Sequence, residues 1–256
     1  MKDRKVFMWV NVFTFIFTLV LNFLANSLPL NNLSTGEISD MFDIFFVPAG
    51  YVFSIWGLIY LGLLGFVIYQ ALPVNRHNQR LAKIDGWFSL SNVANALWLV
   101  SFHYLQFGIA MVLMLVLLIS LIMIFLRLEI GREKVSGTSL WLVNVPFSIY
   151  LGWITVAAIA NATQLLYVIG WNGFGIAPVI WLVIMLVAAV AISGLMSFTR
   201  RNIPHALVLI WAFIGIAVRF PQNPTVNLAA WGAAALVALL LAIALIIKPG
   251  AAEIQN

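Results

Sequence analysis

The chain has 256 residues, 64% of them hydrophobic and 8% charged, with a mean hydropathy of +1.07. That balance excludes a soluble globular domain and describes an all-α, polytopic membrane helix bundle. The formal net charge of +5 sits in short loops and not on one basic face, which speaks against nucleic acid as a partner, and the lack of cysteine excludes disulfides, thiol catalysis and sulfur-ligated metal.

The chain opens with Lys2, Arg4 and Lys5 and then runs apolar to Ala25. This has the outline of a signal peptide, and "LANS" is a passable cleavage site. An apolar run of ~20 residues is long for a signal core and suits a span, so a retained first helix is expected. Seven further apolar segments follow, giving spans near 6–25, 50–70, 87–103, 107–127, 140–160, 174–197, 205–220 and 226–247. With eight spans, twelve basic residues fall on one side: Lys2, Arg4, Lys5, Arg76, Arg80, Lys83, Arg127, Arg132, Lys134, Arg200, Arg201 and Lys248. The other side holds Arg219 at a span end, together with Glu37, Asp40 and Asp43. The positive-inside rule then places both termini in the cytoplasm of a cell-membrane protein, inner or plasma. The longest outer connection, 26–49, has the length and mixed character of a lid or binding loop, or of a segment lying on the lipid headgroups.

No Asp, Glu, Lys or His falls in the middle of an expected span, which argues against proton-coupled pumping or ion exchange. The spans instead set aromatic rings beside small residues and amides. Phe53, Trp56 and Tyr60 share a face of the second span; Asn92, Asn95 and Trp98 follow one another at three-residue steps in the third; Trp153, Ala157, Ala160 and Asn161 line one face of the fifth. A buried amide needs a partner in lipid, so these asparagines face other helices or a polar ligand. Aromatic walls opposite alanine and glycine leave a cleft for a flat apolar molecule. His77, His103 and His205 read as solvated loop or edge histidines rather than metal or haem-iron ligands. No Ser-His-Asp set, paired carboxylates or phosphate loop is present, so binding is expected ahead of catalysis.

Three blocks extend this reading. "PAGYVFSIWGLIYLGLLGFVIY" resembles the second helix of the translocator protein/tryptophan-rich sensory protein (TspO/MBR) family, through Pro48, Tyr51, Phe53, Trp56, Tyr60, Gly65 and Tyr69. "SLSNVANALWLVSF" resembles its third helix, with the "NALW" core, and "VNVPFSIYLGWITVAAIANA" resembles its fifth. Two departures are Ala49 for the second proline of a Pro-Pro pair and Ala160-Asn161 for the usual Leu-Asn. The resemblance covers about 1–165 and implies a five-helix unit, to which 166–256 add three helices and a short cytoplasmic tail. It implies a pocket beneath the first long loop, built from Pro48, Phe53, Trp56, Tyr60, Asn95, Trp98, Trp153, Ala157 and Asn161, with Trp56 and Asn95 as its polar contacts. The implied ligand is a tetrapyrrole (porphyrin or haem) or a similar flat hydrophobic molecule, with no resident cofactor required and a homodimer as the common assembly. Sensing or transport by binding is the first expectation. A small-solute permease using all eight helices and a porphyrin-degrading protein are the alternatives. Stripes of small residues, Ala189/Ser193/Ser197 and Ala230/Ala234/Ala238/Ala242, are expected to let the last helices pack closely, in place of a dimer contact.

Overall fold

The computed structural model describes residues 4–27 and 30–247. Eight long helices dominate: α1 Arg4–Ser27, α2 Ile55–Ala71, α3 Asp85–His103, α4 Phe107–Arg127, α5 Val145–Val168, α6 Pro178–Arg200, α7 Ile203–Arg219 and α8 Pro224–Ile246. They coincide with the eight expected segments, and no strand occurs among the described residues. Six of them, α1, α2, α4, α5, α6 and α8 with their flanking turns, are long and apolar enough to cross a membrane. The protein is a multi-pass membrane helix bundle. α7 has 17 residues and is shorter. α3 has the length, but its polar side chains lower its hydropathy, because Ser91, Asn92 and Asn95 face other helices and not lipid.

α1 packs on α3, α3 on α4, α4 on α5, α5 on α2 and α2 on α1, which closes a ring of five helices. α7 packs on the outside of α5, and α6 and α8 pack on α7 and on each other. One apolar core fills the ring; a second fills the space among α6, α7 and α8 and takes in Val156 of α5 and Phe46 of the first long loop.

Local chemistry sets the helix ends. Pro178 and Pro224 open α6 and α8 at the first position, where a missing N–H costs nothing. Asn202 and Asn223 cap α7 and α8 by accepting from the backbone N–H of His205 and Val226. A wide π turn, Leu140–Asn144, precedes Pro146, whose ring has no N–H to give to the turn before it. The expected second span begins with a 3₁₀ turn, Gly50–Ser54, before α2 proper. In the first long loop, Ser34 and Glu37 form a reciprocal capping box that opens the short helix Thr35–Asp40. The loop then turns inward and buries Ile44, Phe46 and Val47.

Several sequence expectations are corrected. Arg4 is not a free loop charge: it is buried and paired with Asp85 at 3.0 Å, and it also donates to the Asn75 carbonyl at 2.9 Å. Arg80 is likewise engaged, donating to Leu128 O at 2.7 Å, Asn144 Oδ1 at 2.8 Å and Glu133 at 3.0 Å, so it ties the α4–α5 connection to the start of α5. His103 and His205 are not solvated; both are fully buried within helices. In α8 the small-residue stripe does not hold. Ala230 and Ala234 are buried, but Ala238 and Ala242 turn outward, and Val237, Leu241 and Ala244 take their place. A four-residue repeat drifts by about 120° over three steps of a helix with 3.6 residues per turn. The Ala189/Ser193/Ser197 stripe of α6 is buried throughout.

Candidate functional site

Three tryptophans converge inside the five-helix ring. Trp56 of α2 lies 6.1 Å from Trp98 of α3 and 6.2 Å from Trp153 of α5, centroid to centroid, and stacks on Tyr60 at 5.5 Å. Phe53 meets Trp153 edge-on at 5.7 Å. The rings reach one another because each stands on the inward face of its own helix, and the ring closure of α2, α3 and α5 brings those faces together.

Beside them lies a cavity of about 30 Å³. Seven of the nine expected site residues line it: Pro48, Phe53, Trp56, Trp98, Trp153, Ala157 and Asn161. Thr35 and Ser39 of the short loop helix line it too, with Val47, so the first long loop closes one end. The other two expected residues lie elsewhere. Tyr60 lines a neighbouring open groove of about 650 Å³ between α1 and α2, which shares Thr35, Phe53 and Trp56 with the cavity. Asn95 lines neither. It is fully buried, donates to the Tyr150 hydroxyl at 3.0 Å, and accepts from Asn22 at 3.1 Å and Tyr60 at 3.4 Å. Its amide therefore joins α1, α2, α3 and α5.

The polar groups of the cavity divide into satisfied and unsatisfied. Trp98 Nε1 donates to Asn161 Oδ1 at 3.0 Å, and Asn161 Nδ2 donates back along its own helix to Ala157 O at 2.9 Å. Trp153 Nε1 and Gln164 Nε2 have no partner, although both side chains are almost fully buried and both residues line the cavity. An unpaired buried donor costs about 1–3 kcal/mol, so this is where a polar acceptor gains most. Gln164 was not among the expected residues. Its signal was nonetheless in the sequence, since 157, 161 and 164 follow one helix face. Among the described residues no group of histidines and carboxylates is placed to hold a metal ion.

The loop-covered end of this site leans on the last three helices. Ala49 N–H donates to Gly215 O of α7 at 3.0 Å, and Trp211 Nε1 donates to Val52 O at 3.3 Å. Tyr51 packs edge-on against Trp211 at 5.2 Å. A Cβ on Gly215 would fall 2.3 Å from Val52 Cγ2 and 3.0 Å from Pro48 Cβ, so only glycine permits this approach. Arg219 pairs with Asp40, fastening the short loop helix to the end of α7.

A family model described as TSPO-like protein matches residues 8–244. The match runs beyond the first five helices and takes in α6, α7 and α8 almost whole. No curated protein and no solved structure matches the chain.

Proposed function

The chain belongs to the TSPO-like family, and from that premise we propose that it binds a tetrapyrrole or a similarly flat hydrophobic molecule against Trp56, Trp98 and Trp153, for sensing or transport. The observation that carries this reading is the pair of unpartnered donors, Trp153 Nε1 and Gln164 Nε2, at a cavity walled by three indoles. Indole faces stack on a macrocycle, and the two N–H groups suit its carboxylate or carbonyl edge.

Size adds a condition. About 30 Å³ suits a single water, while ligand pockets run to about 300–1,000 Å³. The ligand therefore enters from the α1–α2 groove, and Phe53 and Trp56, which face both spaces, turn aside to join them. Leu19, Phe23 and Leu99 give the groove an apolar lining beside the polar loop helix, which suits a hydrophobic molecule with a polar edge. The charge pattern of the loops supports cytoplasmic termini, with the site beneath the outer loop.

The test is a titration of purified protein with protoporphyrin IX, read by tryptophan fluorescence. Saturable quenching that weakens in Trp56→Phe and in Gln164→Leu supports the reading. Quenching indifferent to both substitutions refutes it.

A further inference from the structure

A second cavity, of about 260 Å³, lies on the other face of α5. It is walled by Tyr167, Trp171 and Trp181 and by Phe45 and Phe46 of the first long loop. It shares no lining residue with the tryptophan cavity. α5 turns Thr163, Leu166 and Tyr167 to this one, and Ala157, Asn161 and Gln164 to the other.

The walls are set by the fold. Trp171 and Trp181 lie 4.9 Å apart with their planes 57° apart, so they form two sides of an angle and not a closed stack. Trp181 Nε1 donates to Gly173 O at 3.0 Å. Gly173 has a φ of +62°, and a Cβ there would fall 2.9 Å from that same nitrogen, so the turn 172–175 holds the indole in place. Asp43 completes the lining; it is exposed and has no hydrogen bond or ion pair among the described residues.

An aromatic corner with one free carboxylate has the chemistry of a cation site. Ring faces attract ammonium groups, and a carboxylate alongside adds Coulombic attraction. The charge at this end of the bundle agrees. Glu37, Asp40, Asp43 and Arg219 are its charged residues among those described, and Arg219 is taken by Asp40. The volume lies just below the range for drug-sized ligands, which favours a small head. We propose that this cavity binds an organic ammonium group with an apolar substituent, the ammonium between Trp171, Trp181 and Asp43. Such a group comes either from a dissolved amine or from the headgroup of an amine-bearing lipid, because the site sits at the end of the spans.

The probe is radiolabelled benzyltrimethylammonium, added to the full chain in discs of phosphatidylglycerol, a lipid without an amine. Saturable binding is expected, weakened about tenfold in Asp43→Asn and in Trp171→Leu. The uncharged isostere neopentylbenzene is expected not to compete. Asp43 is exposed and unpaired, so Asp43→Asn should keep the wild-type melting temperature and remains informative if Trp171→Leu fails to fold. Equal binding in wild type and Asp43→Asn, equal competition by the isostere, or no saturable binding at all overturns the proposal. In discs containing phosphatidylcholine, a raised apparent Kd assigns the site to lipid headgroups, and an unchanged one assigns it to dissolved amines.

Discussion

Trp98 of α3 gives its indole N–H to Asn161 of α5 across 3.0 Å, and both side chains are buried. One hydrogen bond thus spans the five-helix ring at the wall of the tryptophan cavity. Asn161→Leu leaves the indole nitrogen without an acceptor and is expected to cost about 0.5–2 kcal/mol, as interhelical hydrogen bonds in membrane proteins do. Trp98→Phe in the same background removes the orphaned donor and should add little further loss. A double-mutant cycle on thermal unfolding in detergent measures the coupling.

Gly215 governs how closely α7 approaches the start of α2. Gly215→Val forces Val52 and Pro48 away from their seats and is expected to destabilise by about 1–3 kcal/mol. Because Pro48 lines the tryptophan cavity, porphyrin affinity should fall as well. Val52→Ala in the same chain makes room and should recover part of both losses. Melting temperature and fluorescence quenching, measured on the wild type and these two variants, check this.

The buried pair of Arg4 and Asp85 holds α1 to α3 near the basic end. Arg4→Met leaves the Asp85 carboxylate with Asn11 as its remaining side-chain partner, and a loss of about 3–5 kcal/mol is expected. Arg4→Met with Asp85→Leu removes both charges and should restore most of the stability. Chemical unfolding of the two variants distinguishes a structural pair from two topogenic charges, which would show no such recovery.

Acid should loosen the first long loop. The Glu37 carboxylate accepts from the Ser34 backbone N–H at 2.7 Å and also gains from the Ser34 hydroxyl, which together hold its pKa below the usual carboxylate range. A depressed folded-state pKa means the cap contributes fully above the ordinary glutamate value and is lost as pH falls through the folded one. The protection of amides 34–40 against hydrogen exchange, taken relative to the intrinsic rate at each pH, should therefore fall on acidification below about pH 4. In Glu37→Gln, which cannot ionise, the same amides should exchange without that pH step.

The eight helices were legible because apolar runs and intervening basic loops are properties of a single stretch of chain. The faces of α2, α3 and α5 were legible too, since Phe53/Trp56/Tyr60 and Trp153/Ala157/Asn161 follow helical spacing. Spacing assigns a face but not what that face meets. Asn95 read as a ligand contact, yet its amide is taken by Asn22, Tyr60 and Tyr150 from three other helices. Asp85 lies 81 residues from Arg4, and nothing local ties them. His103 and His205 stood at the edges of their segments, where loop and helix look alike in sequence, and packing decided for burial. The contact of Gly215 with Pro48 and Val52 had no sequence signal, because glycine in an apolar helix has many uses.

Binding against the three inner indoles is best tested by letting the ligand mark its own neighbours. Protein loaded with one equivalent of protoporphyrin IX is illuminated, and oxidised tryptophans are located by peptide mass spectrometry. Trp56, Trp98 and Trp153 should be modified first, ahead of Trp9, Trp141 and Trp231, which are exposed on the outside of the bundle. Modification led by those three outer tryptophans, with the inner three spared, would contradict binding there.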